Sequence, residues 1–269
     1  MSTDITTAFH PADLEQLPAL QPPDWGNLVP RFSYFIQSSF CEPLKIMENG
    51  QLAAIGSSIM HRETVWLACI VVHPEHRNKG LGNRITSALI GNIDRNIYKS
   101  IYLDATEFGF PVYKKLGFEV ETEYLHFHRE KEAPGFPLSE CIVPFDERYR
   151  QQIFETDEFV SGEKRSGVLG DFVTNARLYV SDSEVQGFYI PDWGDGPVIA
   201  KNPTAGTELL KLRMQHFDTA VVPAESHTAF EFLKTNGYQI YKTSRRMFLG
   251  NKTEWKSNLV FNWISGQLG

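Results

Sequence analysis

The chain has 269 residues and a formal net charge of −7 at pH 7. That length suggests roughly two domains, and 42% hydrophobic with 13% aromatic residues excludes a mainly disordered chain. The acidic balance argues against nucleic acid or an anionic membrane as the main partner. The longest uninterrupted apolar run, Val65–Val72, is far shorter than the ~18 residues of a membrane span. The start, MSTDITTAFHPADLEQL, has no basic region and no apolar signal core, so a cytoplasmic location is expected. Cys41, Cys69 and Cys141 form no C-x-x-C pair and suggest neither a disulfide framework nor a zinc site.

Thr3–Pro30 is rich in Pro and Asp and is expected to wrap the surface. Asn27–Phe40 reads as a helix with Leu28, Phe32, Phe35 and Ile36 on one face. Leu44–Glu48 and Leu52–Ile59 flank Asn49-Gly50, a pair that tolerates the positive φ of a type I′ hairpin. Thr64–Val72 is an apolar strand expected to be buried on both faces. Leu81–Ile93 follows as a helix, Ile101–Ala105 as a strand, Phe110–Leu116 as a short helix closed by Gly117, and Val120–Phe127 as a strand. Glu130–Glu140, with two prolines and four charges, reads as a linker between domains.

Beyond it, Phe145–Phe154 and Arg165–Ala176 read as helices. Strands Arg177–Val180, Val185–Ile190 and Pro197–Ala200 follow, then helix Thr204–Met214, strand Ala220–Val222, helix Ser226–Thr235 and strand Tyr238–Leu249. Both halves thus read strand–strand–strand–helix–strand–helix–strand, which points to an internal duplication. A local echo supports it: Leu116-Gly117-Phe118 matches Asn236-Gly237-Tyr238. The fold class is therefore α/β (α+β), with domains over residues 1–130 and 141–269 joined by a linker at 131–140.

The informative segment is Ile70–Arg84, IVVHPEHRNKGLGNR. A buried strand ends at His73-Pro74, and Gly80-Leu81-Gly82 opens a helix. Glycines there let the backbone bend closely round a bound group. The first helical N–H groups lack partners within the helix and sit at the positive end of its dipole. Such a turn binds a phosphate or pyrophosphate. Arg77, Lys79 and Arg84 add positive charge, and Arg77–Arg84 contains no acid. Neither G-x-x-x-x-G-K-[ST] nor G-x-G-x-x-G is present. The glycines alone fit an ordinary strand–helix turn equally well.

The pattern V-x-P-x-x-R-x-x-G-x-G, here Val72, Pro74, Arg77, Gly80 and Gly82, resembles motif A of the GNAT N-acetyltransferases. Leu103-Asp104-Ala105-Thr106 and Tyr113-Lys114-Lys115-Leu116-Gly117-Phe118 resemble a later segment of that family. The second half resembles a degenerate GNAT-like domain, with Phe159–Leu169, Gly196–Ala200 and Arg246-Met247 as looser landmarks. The resemblance implies tandem GNAT-like units, each a mixed twisted sheet flanked by helices. It implies acetyl-CoA as acyl donor, with its pyrophosphate on the amides of Arg77, Asn78, Lys79, Gly80, Leu81, Gly82 and Asn83. Its pantetheine arm would pair with the backbone of Ile70, Val71 and Val72. A small-molecule or peptide amine would attack the thioester directly, and Tyr113 would protonate the leaving thiolate.

The general base is open among Glu63, Asp104 and Glu107. Asp104 ends a strand facing the expected cleft, or it caps the following turn. Trp66, Glu107 and Trp193 are candidates for contact with the acceptor. Trp193 lies in Asp192-Trp193-Gly194-Asp195-Gly196, whose acids suit a cationic substrate, or which is an ordinary turn with an exposed aromatic; for Trp66, core packing is the stronger reading beside a place in the acceptor pocket. His73 and His76 read as a strand end and a solvated turn. His126 and His128 share a strand face, but no third metal ligand is near in sequence. The second half has Pro203, one glycine and Leu233 where the first has the paired glycines and Tyr113, so a single cofactor per chain is expected. The competing reading is a non-catalytic acyl-CoA sensor or interaction module.

Overall fold

The computed structural model describes residues 6–23, 25–130 and 135–266; residues 131–134 of the expected linker lie outside them. The first described elements are strand β1 (Thr6–Ala8), paired antiparallel with β2 (Cys41–Glu48), and a 3-10 helix over Pro11–Ala19. The described part of Thr3–Pro30 runs along the surface as expected, with residues 3–5 and 24 outside the described residues, but it is anchored in the core. Leu17 and Leu20 are fully buried and join Phe32 and Phe35 of α1 (Leu28–Gln37) in the main core. The apolar side chains were there in the sequence, but without helical or strand periodicity. Asn27 starts α1, its Oδ1 accepting the Val29 N–H at 2.9 Å.

β2 turns into β3 (Gln51–Met60) through Asn49 and Gly50 at φ 51° and 81°, as a type I′ hairpin requires. β4 (Thr64–Val72), α2 (Leu81–Asn92), β5 (Ser100–Ala105), α3 (Phe110–Lys115) and β6 (Glu119–His128) complete the first half. The second half runs β7 (Ile142–Pro144), α4 (Arg150–Ser161), α5 (Ser166–Phe172), β8 (Arg177–Ser181), β9 (Glu184–Tyr189) and β10 (Val198–Ala200). It ends with α6 (Pro203–Met214), β11 (Thr219–Pro223), α7 (His227–Thr235), β12 (Gln239–Gly250) and β13 (Val260–Asn262). The helix expected at Phe145 begins only at Arg150 and runs to Gly162, which has φ 69° and would place a Cβ 2.0 Å from the Glu254 carbonyl oxygen.

The run β2-β3-β4-α2-β5-α3-β6 is repeated as β8-β9-β10-α6-β11-α7-β12. One sheet has the order β1-β2-β3-β4-β5-β12-β6-β11, the other β13-β10-β9-β8-β7. The first sheet is mixed, with β4 and β5 parallel, whereas the second is antiparallel throughout; helices flank both, and the two halves interlock. β12 of the second half lies between β5 and β6 of the first, and β6 lies between β12 and β11. Each half inserts its last long strand beside the other's.

Two sets of buried charges near the junction of the halves are paired. Arg246 on β12 bonds Glu121 on β6, and its second nitrogen lies 3.4 Å from Glu163. Arg165 grips Asp157 with two bonds of 3.0 and 2.6 Å. Removing one partner of such a set leaves an uncompensated buried charge, so the network ties the halves into one arrangement. No helix among the described residues is long and apolar enough to cross a membrane.

Candidate active site

Strands β4 and β5 run parallel but pair only over Thr64–Trp66 and Ser100–Tyr102. Beyond Trp66 they part. The cause lies in β4, where Cys69 takes φ 51° and a bulge shifts the register against β3 between Ile55 and Ser57. Gly56 opposite the bulge leaves room for α2, since a Cβ there would fall 2.8 Å from Leu89 and 3.2 Å from Ile70. His73 N–H donates to the Ala53 carbonyl at 2.9 Å. Because antiparallel partners alternate, the amides of Ile70 and Val72 are turned from β3 toward the opening.

At the mouth of this opening the chain makes a 3-10 turn, Pro74–His76, and a tight loop with Asn78 at φ 62° and Gly80 at φ 83°. Gly80 starts α2 with no side-chain cap, and the first helical bond runs from Arg84 N–H to Gly80 O at 3.1 Å. The amides of Leu81, Gly82 and Asn83 therefore precede the helical ladder. A Cβ on Gly82 would come no closer than 3.8 Å to Val72, so the glycine keeps the space in front of these amides open. Arg77 Nε lies 3.5 Å from the Val72 carbonyl oxygen, and Lys79 Nζ lies 3.4 Å from His76 Nδ1. The predicted cradle residues are thus brought together. Leu81 turns its side chain into the core, so it offers only its backbone. His76 is not a solvated turn residue: it is buried, with Nδ1 2.5 Å from Glu48.

Asp104 and Tyr113 stand at the parting of the strands. Burial pushes the Asp104 carboxyl up to about 7, against the opposing pull of the Ser244 hydroxyl and Lys242. Its Oδ1 is buried without a hydrogen-bond partner. A Cβ on Gly266 would lie 3.0 Å from Oδ2 and 3.5 Å from Trp263, so the C-terminal segment passes directly over this carboxylate. Tyr113 is 7% exposed on α3, its ring edge-on to Phe118. Gly109 makes room for it, since a Cβ there would fall 2.7 Å from the ring. Burial, and then the Asp104 charge, raise the Tyr113 phenol well above its ordinary value, so it stays protonated. Glu107 is exposed in the turn after β5, beside Phe108, which is 96% exposed.

Two predicted acceptor contacts are corrected. Trp193 is fully buried, stacked on Phe172 at 6.2 Å with the Arg165 guanidinium 5.4 Å from its ring. The glycines around it form a turn held to the C-terminal segment, with Asp195 N–H donating to the Ile264 carbonyl at 2.6 Å, and that turn folds the indole inward. Trp66 is 3% exposed; its Nε1–H donates to Glu163 at 3.0 Å and its ring stacks on Tyr102. A different tryptophan lies near the cleft: Trp263 donates Nε1–H to Asp195 at 2.9 Å. Reasoning from sequence missed Ser244, which the exchanged strand β12 brings beside Asp104, and Trp263 and Gly266, which the segment after β13 brings over it.

The corresponding place in the second half is filled by the chain itself. β13 pairs with β10 on one side. On the other, Trp263 N–H donates to the Val221 carbonyl of β11 and Val221 N–H donates to the Asn262 side chain, both at 2.9 Å. The α6 N-terminus is also satisfied, with Asn202 Oδ1 accepting the Ala205 N–H at 3.0 Å and Pro203 offering no N–H. Leu233, fully buried, stands where the first half has Tyr113.

Residues 35–128, which contain the cradle, Asp104 and Tyr113, match the acetyltransferase (GNAT) domain family. Residues 35–128 are a GNAT domain. A Pyrococcus horikoshii protein assigned as an acetyltransferase superposes with a TM-score of 0.84 at 21% identity, covering 100% of this chain and 97% of its own. A GCN5-related N-acetyltransferase from Sphaerobacter thermophilus gives 0.65 at 15% identity, covering 93% of this chain and 96% of its own. A tandem GNAT protein of the clavulanic acid biosynthesis pathway gives 0.59 at 11% identity, covering 90% of this chain and 94% of its own. At these identities the likeness is one of fold, and it extends through both halves. No curated protein sequence matches this one.

Proposed function

We propose that this GNAT protein is an N-acyltransferase that moves an acetyl group from acetyl-CoA to the amine of a small molecule or peptide. The observation that carries the reading is the pairing of an uncapped α2 N-terminus with an unfilled opening between β4 and β5, next to Asp104 and Tyr113. The amides of Asn78–Asn83 suit a pyrophosphate, with Arg77 and Lys79 adding positive charge. The amides of Ile70 and Val72 suit an extended pantetheine arm, and one of them can hold the thioester oxygen as negative charge develops. Bound acetyl-CoA supplies the activated acyl group. Asp104, with a pKa of about 7, takes the proton that the attacking amine loses. Tyr113, kept neutral by burial, gives its proton to the departing thiolate. One carboxyl and one phenol held apart in protonation behaviour make a base and an acid pair.

The self-filled gap between β10 and β11 supports one acetyl-CoA per chain, bound by the first half. The test is titration calorimetry with acetyl-CoA, then CoA release across amino acids, aminosugars, polyamines and peptides. One site per chain and turnover of an amine are expected. At 100 times Kd, acetyl-CoA should add about 2.7 kcal/mol of stability, and Gly82→Asp, which puts a negative charge in an open part of the cradle, should remove that gain. Absence of binding in the wild type refutes the reading. Binding without turnover of any amine would make the chain an acyl-CoA sensor instead.

A further inference from the structure

Asp104 is paired across the sheet with Arg246 of β12, so Ser244, two residues away on that strand, lies on the same face and diagonal to it. On the far side of β12, Lys242 pairs with His126 of β6 and Ser244 with Tyr124. His126 Nε2 lies 2.8 Å from Ser244 Oγ. Ser244 is 1% exposed and His126 6%. Asp104, Ser244 and His126 thus form a row across three strands, and its middle member comes from the second half of the chain.

The placement of these groups suits one direction of the row. Burial, with Lys242 nearby, pushes His126 down to about 4, so at neutral pH it is neutral and carries one N–H. Ser244, diagonal to Asp104 on the same face, is placed for its hydroxyl to donate to the carboxylate, a contact that lowers the Asp104 pKa against the larger effect of burial. Its oxygen is then left to accept from His126 Nε2–H, and the neutral imidazole is the tautomer protonated at that nitrogen.

We propose that Ser244 and His126 are positioning residues for Asp104: His126 orients the Ser244 hydroxyl, and that hydroxyl donates to the carboxylate that serves as base. The inference rests on Asp104 being the base of the acyl transfer. The other groups facing Asp104 are Lys242 and Arg246 from β12, Tyr124 from β6 and Tyr113 from α3; the covering segment Trp263–Gly266 brings none that titrates. Those facing His126 are Lys242 and Tyr241 of β12, with Trp263 edge-on at 5.2 Å. Lys242 acts on both members of the row and is left intact in the test.

The experiment follows the Asp104 carboxyl by carbon-13 NMR through a pH titration of the full chain, alongside the pH profile of kcat/KM. Asp104→Asn assigns the signal. Ser244→Ala should raise the Asp104 pKa by about one unit, and the acidic limb of kcat/KM should move up with it, a tenfold loss of rate well below the limb. His126→Phe should move both in the same direction. Ser244→Thr, which keeps the hydroxyl on a residue suited to a strand, should restore the wild-type pKa. An Asp104 pKa unmoved by Ser244→Ala in a folded protein overturns the proposal, and so does a shift that Ser244→Thr fails to reverse. A wild-type limb that does not track the carboxyl signal refutes instead the role of Asp104 as base, and the two failures are read from different instruments.

Discussion

Asp104→Asn is the substitution with the clearest consequences. In the folded chain the carboxyl has a pKa of about 7; its ordinary value is 3.8. Between those values the folded state holds a proton that the unfolded chain has released. Stability from this group is fully present below about pH 4 and is lost as pH rises through about 7. Each tenfold change in proton affinity corresponds to about 1.4 kcal/mol, so the rise from 3.8 to about 7 gives up to about 4 kcal/mol. That is an upper limit, because the side chain keeps some contact with water. Asparagine has the same shape and no charge, so the variant loses this slope. Urea unfolding of both proteins from about pH 4 to about pH 8 should show the variant gaining on the wild type as pH rises, by about 2–4 kcal/mol at the top of the range. In the same variant kcat/KM should fall by about 10²–10⁴. A stability difference that stays constant with pH would refute the argument, because an ordinary carboxyl at this position has no slope to lose.

Tyr113→Phe keeps the ring that packs on Phe118 and removes the proton donor; kcat should fall on the order of a hundredfold with acetyl-CoA affinity unchanged in calorimetry. Trp193→Ala empties a fully buried site, so it should destabilise by about 3–5 kcal/mol in urea while leaving the KM of the remaining folded enzyme near wild type. Arg246→Met strands Glu121 and Glu163 in the interior and should destabilise by about 3–5 kcal/mol; unfolding curves measure it, and a neutral result would mean that these carboxylates reach water.

Local signals made the cradle legible. The I′ turn at Asn49-Gly50, the strand to Val72, the glycines at 80 and 82 and the helix from Leu81 all rest on residues close in sequence, and each element falls where periodicity and turn chemistry placed it. What failed depended on distant chain. Trp193 sits among glycines and acids, a composition that reads as a surface turn, yet that turn is held against Ile264, and Phe172 and Arg165 cover the indole ring. Trp66 looks from its strand like either a pocket wall or core, and only Glu163, 97 residues on, decides by taking its N–H. The repeat of elements in the two halves was readable from their order. That they would exchange their last strands was not, since β6 and β12 have the same alternating character beside either neighbour.

The exchange explains why a half without a cradle is retained. β12 is the strand adjacent to β5 along its whole length, from Ser100 to Ala105. Without it β5 would keep only its three-residue pairing with β4, and Asp104 would lose Arg246 and Ser244 as neighbours on its face. Arg246 on the same strand neutralises Glu121 of the first half and Glu163 of the second, so one side chain serves both. Meanwhile β13 fills the gap between β10 and β11, and the four residues after it reach across to Asp104. The second half has thus closed its own opening, and the strand and tail it contributes form part of the wall around the first. Loss of the glycines and tyrosine from one copy of a duplicated unit removes a site; it leaves untouched the backbone pairing and buried charges by which that copy holds the other in shape.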